Sequence, residues 1–230
     1  WIVDEVQDLR AEHLEVLKAS LRDPENGIIH VFGDQDQNLF SGAPDLPWFY
    51  AIGRLSRNLR SSRKIAESLN ELSSVENQAS GLIMGTSPEI IVVKESVDPE
   101  SVADKYVDFL VNEAGWHPQD IVVVTTGKIH AKHQALKSDL VKYWDSYFAN
   151  DCVFYTHVNS FKGLDRPVVV VVVNGISLNS SAKQHLYVAM SRARDDLVLV
   201  GTQEELDNLG ALVKKFAKAD FDYEAHSPAS

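Results

Sequence analysis

The stretch Val168-Val-Val-Val-Val-Val173 decides the fold, because six consecutive β-branched residues predict a strand that is buried on both faces. Shorter Val/Ile-rich segments lie upstream at Glu89–Lys94 and Ile121–Thr125. Segments with helical spacing of apolar residues separate these strands, which is typical of a parallel sheet with helices on both faces. The sequence therefore predicts an α/β fold. The valine run is also the longest apolar run, and it is too short to cross a bilayer.

The rest of the chain continues this alternation. Further strands are predicted at Ile28–Phe32, Ile52–Leu55, Val153–His157 and Leu197–Val200. Helices are predicted at Ala11–Arg22, from Ser61 or Ser62 to about Leu72, and at Pro99–Asn112, Ala131–Phe148, Lys183–Arg194 and Glu204–Ala217. Ser73–Pro88 is rich in Ser, Gly and Asn and has no period, so it is predicted to be a linker at a domain boundary. Asp222–Ser230 is predicted to be a frayed tail.

The first residues, Trp1–Asp8, run from three apolar residues into Asp4 and Glu5, and Gln7 follows. This pattern predicts a buried strand that ends at a cleft, where two fixed carboxylates suit a hydrated Mg²⁺ and an attacking water. Many strands end in an acid only because the chain turns into solvent, so the residues alone leave both interpretations open. Because a core strand normally needs a preceding turn, we expect this chain to be a fragment of a longer protein.

The net charge of −11 argues against a protein coated in basic surface for nucleic acid. The charge is uneven, because residues 54–64 carry +5 with no acid and the remaining residues carry −16. Such a strip suggests an anion site such as a triphosphate, although a solvated basic helix start gives the same pattern. Its cations are Arg54, Arg57, Arg60, Arg63 and Lys64. The single cysteine, Cys152, and the lack of a secretory signal predict a cytoplasmic protein.

Five stretches stand out because they occur in the order of the motifs of one enzyme family. They are Asp4–Gln7, Gly33–Gln37, Leu55–Ser61, Asn159–Asp165 and Leu186–Ala193. In that order they resemble the Walker B motif and motifs III, IV, V and VI of superfamily 1 helicases of the UvrD/Rep type. The resemblance spans nearly the whole chain. It implies a RecA-like P-loop NTPase fold with two motor domains and ATP bound between them.

The resemblance also implies domain limits. Residues 1–60 would be the C-terminal part of the first motor domain, and residues 61–88 a connecting helix and linker. Residues 89–220 would be the complete second motor domain, and residues 221–230 a tail.

The same resemblance implies roles at an ATP site. Asp4 would help to hold Mg²⁺, through water, and Glu5 would orient the attacking water. Gln37 and Gln7 would bind the γ-phosphate or that water through their amides. Arg60 and Arg192 would act as arginine fingers, since the planar guanidinium matches phosphate oxygens and stays charged.

Further residues would complete the site. Asp165 would accept a hydrogen bond from a ribose hydroxyl, Gly163 would allow close approach of the backbone, and Asp34 would contribute to nucleotide binding. Phe40, Asn159 and Ser160 would contact the nucleic acid along which the protein moves. The resemblance implies single-stranded DNA, and RNA is the alternative. Plainer interpretations stay open: Arg192 and Arg194 as surface arginines, Lys162-Gly163 as a turn, Gln37 as a loop cap and Phe40 as a core residue.

The chain departs from the family in several places. It contains no Gly-x-x-x-x-Gly-Lys-Ser/Thr, so the phosphate loop is expected in an upstream segment of the same parent chain, and the chain alone is expected to hydrolyse ATP negligibly. Thr125–Lys128 follows a strand but lacks the first glycine and the final hydroxyl, and we reject it as a phosphate loop. Leu59 stands where the family usually has a tyrosine that packs on adenine. His157 and Asn159 replace the motif V threonine and histidine, and the long insertion before motif V is absent.

Two hypotheses from different classes remain. The first is a portion of an ATP-driven DNA helicase or translocase, and the second is a degenerate RecA-like module that binds a partner protein or nucleic acid without turnover. The retained Asp4, Glu5, Gln37, Arg60 and Arg192 favour the first. His130 and His133 are three residues apart, and we interpret them as solvated histidines and not as metal ligands.

Overall fold

The computed structural model describes residues 1–37, 53, 55, 57–70, 72–73, 78–79, 83–149, 151–175, 180–209 and 216–226. The chain divides into two compact units, Trp1–Leu55 and Ser56–Ser230. The assignment of residues 1–60, 61–88 and 89–220 to two motor domains and a linker stays a prediction. Phe40 and two of the four residues of the strand predicted at Ile52–Leu55 lie outside the described residues.

The small unit is built on two short parallel strands and one helix. Strand β1 is Ile2–Val3, helix α1 is Ala11–Ala19 and strand β2 is His30–Val31. The pairing continues past the strands, because the Phe32 N–H donates to the Val3 carbonyl at 2.8 Å and the Val6 N–H donates to the Phe32 carbonyl at 2.9 Å. These bonds place the polar residues after β1 beside those after β2. The helix ends earlier than the predicted Arg22.

The large unit contains a six-stranded sheet, and all of its strands are parallel. Two shorter parallel strands, β3 Arg57–Asn58 and β4 Gln78–Ala79, form a separate pair. The strands of the main sheet are β5 Glu89–Val93, β6 Ile121–Thr125, β7 Phe154–His157, β8 Arg166–Val172, β9 Ala193–Thr202 and β10 Ala217–Lys218. Their order across the sheet is β10-β5-β9-β8-β6-β7. The predicted α/β fold with a parallel sheet is therefore confirmed.

Helices connect these strands. They are α2 Arg63–Leu69, α3 Pro99–Asn112, α4 Ala131–Leu136, α5 Leu140–Phe148, α6 Val158–Phe161, α7 Ser180–Met190 and α8 Gln203–Asp207. In the described part of the chain, no helix is both long enough and apolar enough to span a membrane.

Several helix predictions are wrong in their limits, and the helix predicted at Glu204–Ala217 ends at Asp207, with Ala217 in β10. The helix predicted at Ala131–Phe148 is interrupted between α4 and α5, because Asp139 caps α5 by accepting a hydrogen bond from the Lys142 N–H at 3.1 Å. The helix predicted at Lys183–Arg194 ends at Met190, and β9 begins at Ala193 because Arg166 pairs with Ala193 at the start of the neighbouring β8. Pairing with a formed strand overrode the helical spacing.

The core lies on both faces of the main sheet. On one face, Val123, Val170 and Val198 belong to the apolar cluster that α3 covers. Along each of these strands, the neighbouring residues point to the opposite face of the sheet, where α2 and α7 contact β9. Each residue of β8 after Arg166 is buried, so the valine run is covered on both faces as predicted.

The C-terminal residues are packed, so the frayed tail expected from Asp222 onward is wrong for residues up to His226. Strand β10 pairs with β5, and the ring of Phe221 lies 5.0 Å from Tyr106 and 5.4 Å from Phe109 between centroids. Lys105 Nζ donates to the Tyr223 carbonyl at 2.8 Å. The segment thus closes the β5 edge of the sheet, and its aromatic residues supply the apolar contact that holds it there.

We expect Phe221→Ala to lower the free energy of unfolding by about 2 kcal/mol, because the substitution removes a half-buried ring that contacts three other rings. Urea unfolding measures the loss. Hydrogen exchange at the Ala217 and Ala219 amides, which donate to Pro88 and Ile90, should accelerate. Phe148→Ala, at an exposed phenylalanine, is the matched control. Unchanged exchange at both amides would show that Phe221 does not hold the segment in place.

Candidate functional site

Strand β1 ends in a left-handed turn that carries the two predicted catalytic acids. Glu5 has φ 53° and ψ 41°, and it is the one non-glycine residue with positive φ in the described part of the chain. Its backbone N–H donates to Asp4 Oδ1 at 2.9 Å. A residue with a Cβ occupies this conformation at a cost of about 1 kcal/mol, and such strain is concentrated at functional sites. The strain supports a functional interpretation of the turn.

A buried glutamine joins this turn to the segment after β2. The Gln7 side chain is buried; its Nε2 donates to Glu5 Oε2, and its Oε1 accepts from the Asp34 N–H at 3.1 Å. Gly33 is required beside it, since a Cβ at that position would lie 2.7 Å from Gln7 Oε1 and 2.7 Å from Val6 Cγ1. Gln7 therefore connects the Walker B stretch to the motif III stretch.

Asp34 organises the motif III turn through both carboxylate oxygens. Its Oδ1 accepts from the Asp36 N–H at 3.0 Å, and its Oδ2 accepts from Gln37 Nε2 at 2.8 Å. The result is a continuous hydrogen-bonded chain, Glu5–Gln7–Asp34–Gln37, which we call the amide chain. The structure thus brings together four residues that sequence analysis identified only as separate candidates. Asp4 lies beside it, exposed to solvent.

In the large unit, the motif IV stretch is fastened to the start of β9. Asn58 Oδ1 accepts hydrogen bonds from the Arg60 N–H at 3.0 Å and from the Ser61 N–H at 3.1 Å. The Ser61 hydroxyl donates to the Ala193 carbonyl, and the Ser62 N–H donates to the Arg194 carbonyl, both at 2.7 Å. Arg60 is therefore held next to the residues that follow motif VI.

Asp165 lies between two arginines. Arg60 Nε is 3.6 Å from Asp165 Oδ2, and Arg194 Nε is 3.6 Å from Asp165 Oδ1. Arg60 Nη1 also donates to the Ser191 carbonyl at 3.4 Å. Sequence reasoning did not select Arg194 as a site residue. Its position two residues after Arg192 was the available signal, and the helix predicted through Arg194 concealed it.

Arg192 is the largest of the fully buried side chains in the described part of the chain, with 1% of its surface exposed. Its Nε donates to the Val188 carbonyl at 3.2 Å. The alternative that Arg192 is an ordinary surface arginine is therefore wrong. A guanidinium stays charged when it is buried, and a buried charge is costly to fold, so its presence supports a functional interpretation.

The motif V stretch is exposed where nucleic acid was expected to bind. Asn159 and Ser160 are exposed on α6, and His157 Nδ1 accepts from the Asn159 N–H at 3.3 Å. Gly163 has φ +83°, and a Cβ there would meet no described atom within 4 Å. The glycine is therefore needed for its backbone conformation and leaves open space beside it. Phe40, the third predicted nucleic-acid contact, lies outside the described residues.

The segment Thr125–Lys128 is unsuited to bind phosphate. Asn174 Oδ1 accepts hydrogen bonds from the Gly127 and Lys128 N–H groups, each at 3.1 Å. A Cβ on Gly127 would lie 1.9 Å from the Asn174 carbonyl oxygen. The two amides that a phosphate loop would present are already used, which supports the rejection of this segment on sequence grounds.

The two histidines expected to be solvated are buried, so that expectation is wrong. His130 caps α4 by accepting from the Lys132 N–H, and His133 stacks on Tyr143 with centroids 4.8 Å apart. Within the described ranges, no group of three or more histidine, cysteine, aspartate or glutamate side chains is placed to hold a metal ion. Burial lowers the pKa of His133, and the neighbouring His157 and Lys137 add to the effect.

The sequence matches the viral superfamily 1 RNA helicase core domain over residues 1–201. The chain belongs to this helicase family. The superfamily 1 prediction is therefore confirmed. Among curated proteins, none matches the chain. The structure is similar to the C-terminal domain of a possible DNA helicase from Lactobacillus plantarum WCFS1, at 20% identity and a TM-score of 0.46, with 69% of this chain and 97% of that chain covered.

The stability of this helicase chain should fall as the pH drops below about 6.5, the usual histidine value. His133 has a lowered pKa in the folded chain, so the unfolded chain binds more protons, and the stabilisation present above pH 6.5 is lost below it.

We expect His133→Phe to reduce this loss, because it keeps a ring against Tyr143 and removes an Nδ1 that has no hydrogen-bond partner among the described residues. Urea unfolding at about pH 8 and about pH 6 gives the comparison. The matched control is His30→Phe, at an exposed histidine. An equal loss of stability in wild type and His133→Phe would exclude His133 as its source.

Proposed function

We propose that this chain is the C-terminal portion of an ATP-dependent helicase or translocase of the UvrD/Rep type. In that role it supplies Walker B, nucleotide-sensing and arginine-finger residues for ATP hydrolysis coupled to movement on single-stranded DNA. The observation that carries the proposal is the amide chain, which links the predicted catalytic Glu5 to the predicted sensor Gln37 in one hydrogen-bonded path.

The acidic residues of the small unit suit the binding of Mg²⁺ and the activation of the water that attacks ATP. Asp4 and Glu5 offer carboxylate oxygens, the donors that Mg²⁺ prefers, and Asp4 is exposed as a water-mediated contact requires. Glu5 orients and polarises the attacking water, since phosphoryl transfer depends on positioning and charge neutralisation. Gln37 contacts the γ-phosphate or that water. Loss of that contact would change the hydrogen bonds along the amide chain and so reach Glu5.

The arginines of the large unit suit the stabilisation of the transition state. Arg60 and Arg192 supply positive charge to the triphosphate, and Asp165 accepts from a ribose hydroxyl. Gly163 leaves room for the nucleotide to approach the backbone. The proposal takes residues 1–60 and 89–220 as parts of two motor domains and 61–88 as the segment that connects them.

An upstream segment of the same parent chain is proposed to carry the phosphate loop. The small unit supports this, because several large apolar side chains around its two short strands are exposed. A two-stranded sheet is marginally stable by itself, and a parallel sheet normally has both faces covered. Further strands from the parent would cover these residues, which are Trp1, Ile2, Ile28 and Phe32.

Single-stranded DNA is the proposed track, with Phe40, Asn159 and Ser160 as contacts. The second candidate is RNA, which the description of the matching family favours. The test measures ATP turnover by the parent protein with oligo(dT) and with oligo(rU) of equal length. Stimulation by oligo(rU) alone would replace DNA with RNA in the proposal. Failure of both to stimulate turnover would favour the degenerate, non-catalytic alternative.

We expect Glu5→Gln to lower ATP turnover by the parent protein at least about a hundredfold, because it removes the carboxylate that polarises the water. Nucleotide binding should persist. Glu12→Gln, at an exposed acid on α1, is the matched control and should leave turnover unchanged. The purified 230-residue chain should hydrolyse ATP negligibly. Turnover by that chain, abolished by Glu5→Gln, would overturn the assignment of the phosphate loop to an upstream segment.

Arg192→Lys should reduce turnover by the parent protein at least about a hundredfold, because the charge remains while the fork that spans phosphate oxygens is lost. Lysine is preferable to alanine, because deletion of this fully buried side chain would leave a cavity. Circular dichroism and thermal unfolding should show a folded protein. Wild-type turnover in this variant would remove Arg192 from the active site.

A further inference from the structure

One carboxylate in the large unit is shared by two arginines. Asp165 offers Oδ2 to Arg60 and Oδ1 to Arg194, and both arginines approach through Nε at 3.6 Å. Both ion pairs are partly exposed, with 41% of the Arg60 side chain, 46% of Arg194 and 36% of Asp165 accessible. Such pairs contribute little to stability, so their arrangement matters more than their strength.

The backbone fixes the position of both arginines. Arg194 stands second in β9, and its carbonyl accepts the Ser62 N–H, so it cannot move independently of the motif IV stretch that carries Arg60. Asp165 directly precedes β8, and the pairing of Arg166 with Ala193 brings it beside Arg194. The register of two adjacent strands therefore creates the shared carboxylate.

A third arginine near this carboxylate, Arg166, is influenced by its charge but has its guanidinium held against Tyr147. The Arg166 guanidinium lies 3.8 Å above the centre of the Tyr147 ring, and its Nη2 donates to the Tyr147 carbonyl. Burial lowers the pKa of Arg166, and the charge of Arg194 acts in the same direction. Among the described residues, Asp165 forms ion pairs with Arg60 and Arg194.

We propose that Arg194 is a positioning residue of the nucleotide site. It holds Asp165 Oδ1, and it thereby prevents Asp165 from closing both oxygens onto Arg60 in a bidentate pair. Arg60 then keeps positive charge for the triphosphate, and Asp165 keeps Oδ2 within reach of a ribose hydroxyl. This inference rests on the proposed function, since it assigns Arg194 a role at the same ATP site.

The test uses steady-state kinetics of the full-length parent protein, with ATP and with 3′-deoxy-ATP as substrates. Arg194→Ala should raise the KM for ATP about tenfold and lower kcat several-fold, because Asp165 then neutralises Arg60. Preference for ATP over 3′-deoxy-ATP should fall at the same time. Arg194→Lys should recover part of the preference, since a lysine still attracts Oδ1.

The double variant Arg194→Ala/Asp165→Asn separates positioning from a merely structural role. Asp165→Asn removes the charge that captures Arg60, so kcat of the double variant should exceed that of Arg194→Ala, while ribose preference stays low. Two additive losses would overturn the proposal. Lys142→Ala, at an exposed cation paired with Asp139, is the control for loss of a surface ion pair and should leave both parameters unchanged.

Glu5→Gln in the same series distinguishes failure of the positioning role of Arg194 from failure of the proposed function. If wild type hydrolyses ATP, Glu5→Gln does not, and Arg194→Ala behaves as wild type, the proposed function stands and the positioning role is wrong. If the wild-type parent neither binds nor hydrolyses ATP, the proposed function is wrong and the role of Arg194 falls with it.

Discussion

The burial of β8 on both faces is the constraint on which the large unit depends. Each residue of this strand after Arg166 is buried. Alternate residues pack under α3 on one face of the sheet, and the residues between them face the other side. Because residues 168–173 are all valine, the register of β8 is set by its pairing with β6 and β9, which begins with Arg166 against Ala193. Because the register is fixed, the polar residues at the strand ends are fixed as well.

The two groups of candidate residues lie at opposite ends of their strands, one after the carboxyl ends and the other at the amino ends. In the small unit, the acids and the amide chain come after the carboxyl ends of β1 and β2, where ligands of parallel sheets are usually found. In the large unit, Asp165 and Arg194 lie at the starts of β8 and β9, and Arg60 is joined to them by hydrogen bonds from Ser61 and Ser62. The sequence motifs identify Arg60 and Asp165 as candidates but do not show that Arg194 joins them, because the register between β8 and β9 is not visible in either segment alone.

Predictions that depend on a local signal were confirmed, and those that depend on contacts with distant residues were wrong. The strands at Glu89–Val93 and Ile121–Thr125 were predictable, since a run of buried apolar residues is a local signal. The interruption at Asp139, the early start of β9 and the packing of Phe221 depend on a cap, a neighbouring strand and a distant aromatic cluster. The burial of His133 was missed for a related reason. Its stack on Tyr143 is formed by a residue of the next helix, which the predicted continuous helix would have placed elsewhere.

The arginines differ in a way that suits different roles at one phosphate site. Arg192 is fully buried and bonded to a carbonyl of the preceding helix α7, so exchanging this partner would require repacking of the surrounding side chains. Arg60 and Arg194 share an exposed carboxylate in pairs worth about 0–1 kcal/mol, which an incoming anion can displace at little cost. A fixed charge suits the stabilisation of a transition state, since it needs no rearrangement during the reaction. An exchangeable charge suits a contact that must form and break in every cycle, and under the proposed function the shared Asp165 would give Arg60 a defined resting partner between cycles.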